Sequence, residues 1–313
     1  MFCSVYLLSG CEVSWRSCDA LSTILSSQSS SLKELDLSNN DLKNTGVKLL
    51  SDGLKSPHCK LEILSLSGCL ITEEGCDYLA LTLSSNPSHL RELDLSYNHP
   101  GDSGVKLLSA QLEDPHWRLD TLRVEHCGQQ RLKPGIRKYV CELELDPNTI
   151  NTELKLSEDN RKLTRVEEDQ PYPDHPDRFD WHQLLCSNGL TGRCYWEVEW
   201  TVMVFIAVSY RGINRKVDGT DWRFVGHDCS WSLRCSDENF FVFHNNSGTV
   251  IDFNVSSSGR VAVYVDCPEG TLSFYRVSPE KLIHLHTFKT TFTEPLFAGF
   301  GLRYDSSVTL CSL

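Results

Sequence analysis

The sequence predicts two domains of different class, a short α/β solenoid followed by an all-β sandwich. Three observations carry this. A nine-residue phrase, LKELDLSNN at 32–40, returns almost unchanged as LRELDLSYN at 90–98, and a 29-residue beat connects the two. That beat stops after Cys127. From residue 141 onward, short runs rich in aromatic and β-branched residues alternate with clusters of Gly, Asp, Asn and Ser.

The intermediate copy, LEILSLSGC, lies at 61–69, with LDTLRVEHC at 119–127 and a weaker CSVYLLSGC at 3–11. The second half of each unit keeps the same step: Cys18, Val47, Cys76 and Val105; Leu21, Leu50, Leu79 and Leu108; Leu25, Leu54, Leu83 and Leu112. Within a unit these fall at i, i+3 and i+7, the apolar stripe of a short helix, whereas L-x-x-L-x-L alternates like a strand. Each unit therefore reads as one strand plus one helix. The pattern resembles the leucine-rich repeat in its ribonuclease-inhibitor-like form. Its Asn/Cys position alternates along the chain as Cys11, Asn40, Cys69, Asn98, Cys127, which is why the near-copy skips a unit. An asparagine there can satisfy backbone groups with its amide, whereas cysteine mostly fills space.

A solenoid of this kind displays its strands on a concave face. The outward positions are expected to be Glu34, Asp36, Ser38; Ile63, Ser65, Ser67; Glu92, Asp94, Ser96; and Thr121, Arg123, Glu125. Asp36, Asp94 and Arg123 are the candidates for a mildly acidic binding stripe, and a simply solvated face is the plainer reading. The first unit starts at residue 3, with Cys3 and Tyr6 where leucines stand later and no polar capping segment before it. The expectation is a longer parent protein continuing upstream. The repeats span 1–127; GQQRLKPGIRKYV at 128–140 reads as a solvated cap and linker, with docking on the acidic second half as the alternative.

In the second half, 141–313, strands are expected at 194–200, 205–210, 231–235, 240–244, 260–267, 271–277 and 296–302, the spacing of a β-sandwich. ELDPNT (144–149), LSEDNRKLTRV (156–166), GRCYWEVEW (192–200), VDCPEGTLSFY (265–275) and EPLFAGFG (294–301) resemble, in order, the motifs of the PRY–SPRY domain. The family's H-Y-W-E-V stands here as Cys194-Tyr195-Trp196-Glu197-Val198, and its L-D-Y-E-x-G as Val265-Asp266-Cys267-Pro268-Glu269-Gly270. Trp196 belongs in a sandwich core, where a side chain of its size buries about 150–250 Å². Glu197 and Glu199 share a strand face, and Asp146 and Asp266 read as turn residues.

Composition narrows the function. The net charge of −12 is concentrated in the second half, with 16 Lys+Arg against 25 Asp+Glu over 141–313. Such a surface repels phosphate backbones and anionic lipid, so neither nucleic acid nor membrane is an expected partner. Fourteen cysteines without a C-x-x-C pair fit a reducing, cytoplasmic setting better than a disulfide scaffold or zinc site. The G-x-x-x-x-G-K-[ST], H-E-x-x-H and G-x-S-x-G signatures are missing, so no enzyme, cofactor or metal is expected. His284 and His286 read as one face of a surface strand, and DHPD at 174–177 as a rigid loop.

Recognition is then expected to sit in loops at 212–230, 236–241 and 303–307. Trp222 and Phe224 in the first, Arg234 on the outward face of WSLRC, Phe241, and Tyr304 in RYDSS are the candidates for a protein-binding surface. The alternative for Trp222 and Phe224 is a satellite core beneath their own loop. A leucine-rich array followed by PRY–SPRY resembles the C-terminal region of fish-type NOD-like receptors (NACHT/LRR/PRY–SPRY). The resemblance implies a cytosolic innate-immune module that binds protein partners and contacts an upstream NACHT domain. A structural adaptor, or the substrate-recognition end of a tripartite-motif-like ubiquitin ligase, is the alternative.

Overall fold

The structure is a computed structural model, and it describes residues 4–85, 89–112, 118–157, 159–216, 224–226, 228–251 and 259–313. The chain divides into two compact units, Met1–Tyr139 and Val140–Leu313. In the first, strands β1 (Val5–Leu7), β2 (Glu34–Asp36), β3 (Ile63–Ser65), β4 (Glu92–Asp94) and β5 (Thr121–Arg123) form one parallel sheet in that order. Helices α1 (Ser17–Ser26), α2 (Lys43–Leu54), α3 (Glu73–Ser85) and α4 (Gly101–Leu112) alternate with them. The 29-residue beat is the register itself: Leu35 pairs with Leu64 and Leu64 with Leu93. These leucines and the helix positions Cys18, Val47, Leu50, Cys76, Leu79 and Leu108 make one core.

The Asn/Cys alternation has a hydrogen-bonding cause. Asn98 Nδ2 donates to Leu66 O at 2.8 Å, Leu95 O at 3.0 Å and Ser96 O at 3.2 Å. Its Oδ1 accepts from Cys69 N at 3.0 Å and Ile71 N at 2.9 Å. Asn40 repeats this one double step earlier, donating to Leu8 O and accepting from Val13 N, both at 2.8 Å. Each asparagine therefore pins the loop of the cysteine repeat before it. Cysteine does more here than fill space, because the Cys69 thiol reaches Leu37 O at 3.1 Å. Burial pushes that thiol up to about 12, which keeps it a donor.

Residues 128–139, expected as a solvated cap and linker, fold as a cap and are not solvated throughout. Two 3₁₀ turns, Gln129–Leu132 and Gly135–Tyr139, fold back onto the repeats. They lie along a ladder of left-handed residues, Asn39, Gly68, Tyr97 and His126, whose φ values are 62°, 63°, 55° and 57°. Tyr139 Oη donates to Asn39 Oδ1, and its ring meets Tyr97 edge-on at 5.1 Å. Gly68 permits this approach, since a Cβ there would lie 2.2 Å from Tyr139 Oη. Lys138, 2% exposed, donates to Asp41 Oδ1 at 2.8 Å and Gly68 O at 2.5 Å. A buried ammonium is kept only where such acceptors surround it. Lys138, which read as solvated, is thus held by Asp41 and a loop carbonyl of the array, and Arg131 donates to His126 O and Lys138 O.

The second unit is a sandwich of two antiparallel sheets. One holds, in spatial order, β13 (Ser247–Ile251), β12 (Phe240–His244), β11 (Ser230–Ser236), β10 (Met203–Tyr210), β17 (Leu296–Leu302) and β8 (Gln183–Leu190). The other holds β16 (Leu282–Lys289), β15 (Thr271–Val277), β14 (Arg260–Asp266), β9 (Arg193–Thr201), β18 (Ser307–Leu310), β7 (Lys162–Arg165) and β6 (Leu154–Leu156). Alternate residues face inward: Trp196, Val198 and Trp200 from β9 meet Val204, Ile206 and Val208 from β10, Trp231 and Leu233 from β11, and Phe300 from β17. The pleat leaves the opposite residues of the six-stranded sheet on its outer face.

Candidate recognition surface

Strand register arranges the outer face of the six-stranded sheet in rows. One row runs Phe243, Ser232, Ala207, Gly299, Leu185. The next same-face row runs Val250, Phe241, Arg234, Phe205, Gly301, Gln183. Beyond it Met203 pairs with Ser236, and Arg303 N donates to Met203 O at 3.3 Å.

The small residues of the first row make a slot, and Phe224 fills it. A Cβ on Gly299 would stand 2.5 Å from Phe224 Cζ and 2.9 Å from Leu185 Cδ2. Phe224 is 1% exposed and packs with Phe179, Leu185, Ala207 and Ile213, its ring 6.2 Å from that of Phe179. Ser232 Oγ donates to Phe224 O at 2.7 Å, so a serine on the outer face is also fully buried. Phe224 is thus removed from the partner-binding candidates. Burying a phenylalanine is worth about 1.5–3 kcal/mol, and its own sheet offers the nearest apolar floor. Trp222 lies outside the described residues.

The base of this loop is tied down by charge. Arg211 Nη2 bonds Asp146 Oδ2 at 2.9 Å and Asp177 Oδ2 at 3.1 Å. Arg215 lies 4.2 Å over the Phe179 ring and donates to Ile213 O and Arg211 O. Burial first, and then Arg211, lower the Arg215 guanidinium to about 10. Asp177 of the DHPD stretch is therefore an anchor for the loop.

In the second and third rows Val250 is exposed and Phe241, Arg234, Phe205 and Met203 are half-buried, whereas Gln183, Gly301 and Ser236 are buried, and three predicted residues meet there or beside it. Arg234 lies with Cζ 4.0 Å over the Phe241 ring and donates from Nη2 to Asn239 Oδ1 at 3.0 Å. Asn239 is itself held by Ser236, whose Oγ donates to Asn239 O at 2.9 Å. Arg234 Nε is buried without a partner. Burial, and then the charge of Arg303, lower the Arg234 guanidinium from its ordinary value. Tyr304 is 67% exposed, with Arg165 Cζ 5.4 Å over its ring.

Sequence reasoning missed the neighbours. Phe205 and Phe243 approach at 6.3 Å, Phe241 and Phe243 stack at 6.0 Å, and Arg303 Cζ lies 5.7 Å over Trp181. The signal for Phe205 was present in FIAVSY, where parity with the core residues Ile206 and Val208 turns it outward. At the lower margin Glu153 is shared by Arg165 and by His182 Nε2, the latter at 3.2 Å. Burial, followed by Arg165, lowers the His182 imidazole from its ordinary value.

The other candidates are engaged elsewhere. Asp36 and Asp94 each turn Oδ1 back to a backbone N–H two residues on, Ser38 N and Ser96 N, both at 2.8 Å. Arg123 pairs with Glu92 at 3.6 Å, and both remain partly exposed. Ser38, Ser67 and Ser96, expected outward, are buried. The concave stripe thus spends much of its charge internally, as Asx turns and as the rung-to-rung pair of Arg123 with Glu92. Glu197, 2% exposed, accepts from Arg260 Nε at 2.6 Å and Tyr195 Oη at 2.5 Å, and Arg260 also reaches Glu199 at 3.6 Å. Among the described residues, no group of three or more His, Cys, Asp or Glu is placed to hold a metal ion.

Comparison with known proteins agrees with this architecture. A leucine-rich-repeat model matches residues 28–51, 58–80 and 86–109. The SPRY-associated PRY model matches 143–190, and the SPRY model 193–312. Neoverrucotoxin subunit alpha of Synanceia verrucosa is 41% identical over 175 residues, covering 53% of this chain and 24% of the toxin subunit. NACHT, LRR and PYD domains-containing protein 12 of Homo sapiens is 44% identical over 118 residues, 38% of this chain and 11% of that protein. The crystal structure of the TRIM65 PSpry domain superposes with a TM-score of 0.52 at 26% identity, covering 57% of this chain and 94% of that one. The chain spans a quarter or less of the length of these two curated relatives. It carries leucine-rich repeats followed by a PRY–SPRY domain, two modules of protein interaction rather than catalysis.

Proposed function

We propose that this chain is the non-catalytic recognition end of a cytosolic innate-immune receptor of the NOD-like type, and that it binds a protein partner through the open half of the six-stranded sheet. One observation carries the reading: Phe241, Arg234, Phe205, Arg303, Trp181 and Tyr304 form an aromatic–arginine surface whose members are half-buried, or in Tyr304 exposed. Half-buried aromatics and arginine are the residue types that dominate protein interfaces. The pairing of repeats with PRY–SPRY, and the similarity to a NACHT- and LRR-containing human protein, support the receptor setting. Contact with an upstream NACHT domain belongs to the same reading. The likeness to the TRIM65 domain favours a second setting, the same surface acting as the substrate-recognition end of a ubiquitin ligase.

The test is quantitative capture from resting and immune-stimulated host-cell lysates. The baits are the full chain and a Phe241→Ala/Arg234→Glu variant whose melting and circular dichroism match it. The reading expects partners captured by the wild type, enriched after stimulation, and lost from the variant. An identical partner set on both baits would move recognition away from this face.

A further inference from the structure

The described arginines of the PRY–SPRY unit divide by partner, and Arg161, Arg178 and Arg215 spend their donors on backbone carbonyls of their own domain. Arg165, Arg193, Arg211 and Arg260 each bond a carboxylate of their own domain: Glu153, Asp266, Asp146 and Asp177, and Glu197. Arg234 and Arg303 make no ion pair among the described residues, although Asp237, Glu238 and Asp305 stand close by in sequence and are exposed. Both lie on the open rows of one sheet face, each over an aromatic ring, at 4.0 Å for Phe241 and 5.7 Å for Trp181. Burial first, and then the charge of Arg303, lower the Arg234 guanidinium, while Glu238 acts in the opposite direction. In a segment with nine more acidic than basic side chains, two guanidinium groups on one sheet face without an ion pair are a locally basic spot, which Glu238 offsets in part at Arg234.

Resting on the recognition reading above, we infer that this surface takes an acidic peptide segment of its partner. A carboxylate is held between Arg234 and Arg303, and neighbouring apolar side chains lie on Phe205, Phe241 and Phe243. Planar guanidinium groups fixed over rings present their N–H donors in the geometry a carboxylate accepts bidentately. The fixed stacking also lowers the ordering cost of binding. The domain's net negative field selects a short segment over a polyanion, because nucleic acid or an anionic membrane would meet that repulsion over its whole length.

The probe is a displayed library of random decapeptides, selected on the immobilised full chain and on Arg234→Gln/Arg303→Gln, Arg234→Lys/Arg303→Lys and Phe241→Ala variants of matched melting. The wild type is expected to enrich Asp and Glu above the input library. The Gln pair should lose that enrichment, and a selected acidic peptide should bind it about tenfold more weakly, as loss of a charged hydrogen bond implies. The Lys pair should retain part of the affinity because it keeps the charge. A wild-type pool without acidic enrichment, or acidic enrichment that survives in the Gln pair, overturns the inference. If that neutral pool still depends on Phe241, the recognition reading stands. Enrichment indifferent to Phe241→Ala, or none at all, defeats both. Binding of RNA or of phosphatidylserine vesicles in place of peptide would also overturn it.

Discussion

The covered and open halves of one sheet face share strands, pleat and solvent side, yet they are built oppositely. Where the loop of 212–230 returns, the sheet offers Ala207, Ser232 and Gly299, and Phe224 sinks into the space these small residues leave. One row away the same strands carry Phe205, Arg234 and Phe241, larger groups that fill their own space and stay half-buried. The difference teaches that an exposed aromatic cluster is informative only where the fold supplies no cover. On this face the size of the residues beneath decides whether cover exists.

Substitutions on the two halves should therefore separate cleanly, from large effects to small. Phe224→Ala opens a cavity in the satellite core and should cost about 3–5 kcal/mol, read as a lowered denaturation midpoint. Gly299→Ala drives a Cβ to within 2.5 Å of the Phe224 ring and should cost about 1–3 kcal/mol. Combining it with Phe224→Leu should recover part of that loss, because the two residues share one contact. On the open half, Phe241→Ala removes a half-buried ring and should cost about 1 kcal/mol of stability while abolishing partner capture. Arg234→Gln should change stability by no more than about 0.5 kcal/mol, since no carboxylate is left unpaired. If Phe224→Ala were as mild as Arg234→Gln, the two halves would not differ as described.

Much of this was legible from the residues. The 29-residue step is visible because identical repeats must present identical side chains to one continuous core. The strands at 194–200, 205–210, 231–235, 240–244, 260–267, 271–277 and 296–302 were visible because inner-face alternation with aromatics survives in each. Strand β8 was not, since QLLCSNGL mixes strand residues with Asn, Ser and Gly, and SGTVI of β13 carries few apolar residues to alternate. Arg234 was placed outward by parity with Trp231 and Leu233, a local argument that holds. For Phe224 the sequence left a binding surface and a satellite core both open, and the satellite core holds: its environment is Gly299, 75 positions away in the chain, and no spacing within the loop decides between the two. The burial of Lys138 and Tyr139 is nonlocal in the same way, because their partners Asp41 and Asn39 lie about a hundred residues upstream.

The most direct measurement is hydroxyl-radical footprinting of the full chain, alone and bound to a protein captured by the wild type but not by the Phe241→Ala/Arg234→Glu variant. In the free chain Phe241 and Tyr304 should oxidise readily while Phe224 stays unreactive. On binding, Phe241 and Tyr304 should become protected, with the concave stripe at Glu92 and Arg123 unchanged. Protection confined to that stripe, or a Phe224 that oxidises in the free chain as fast as Phe241, would contradict the division of the face on which this reading stands.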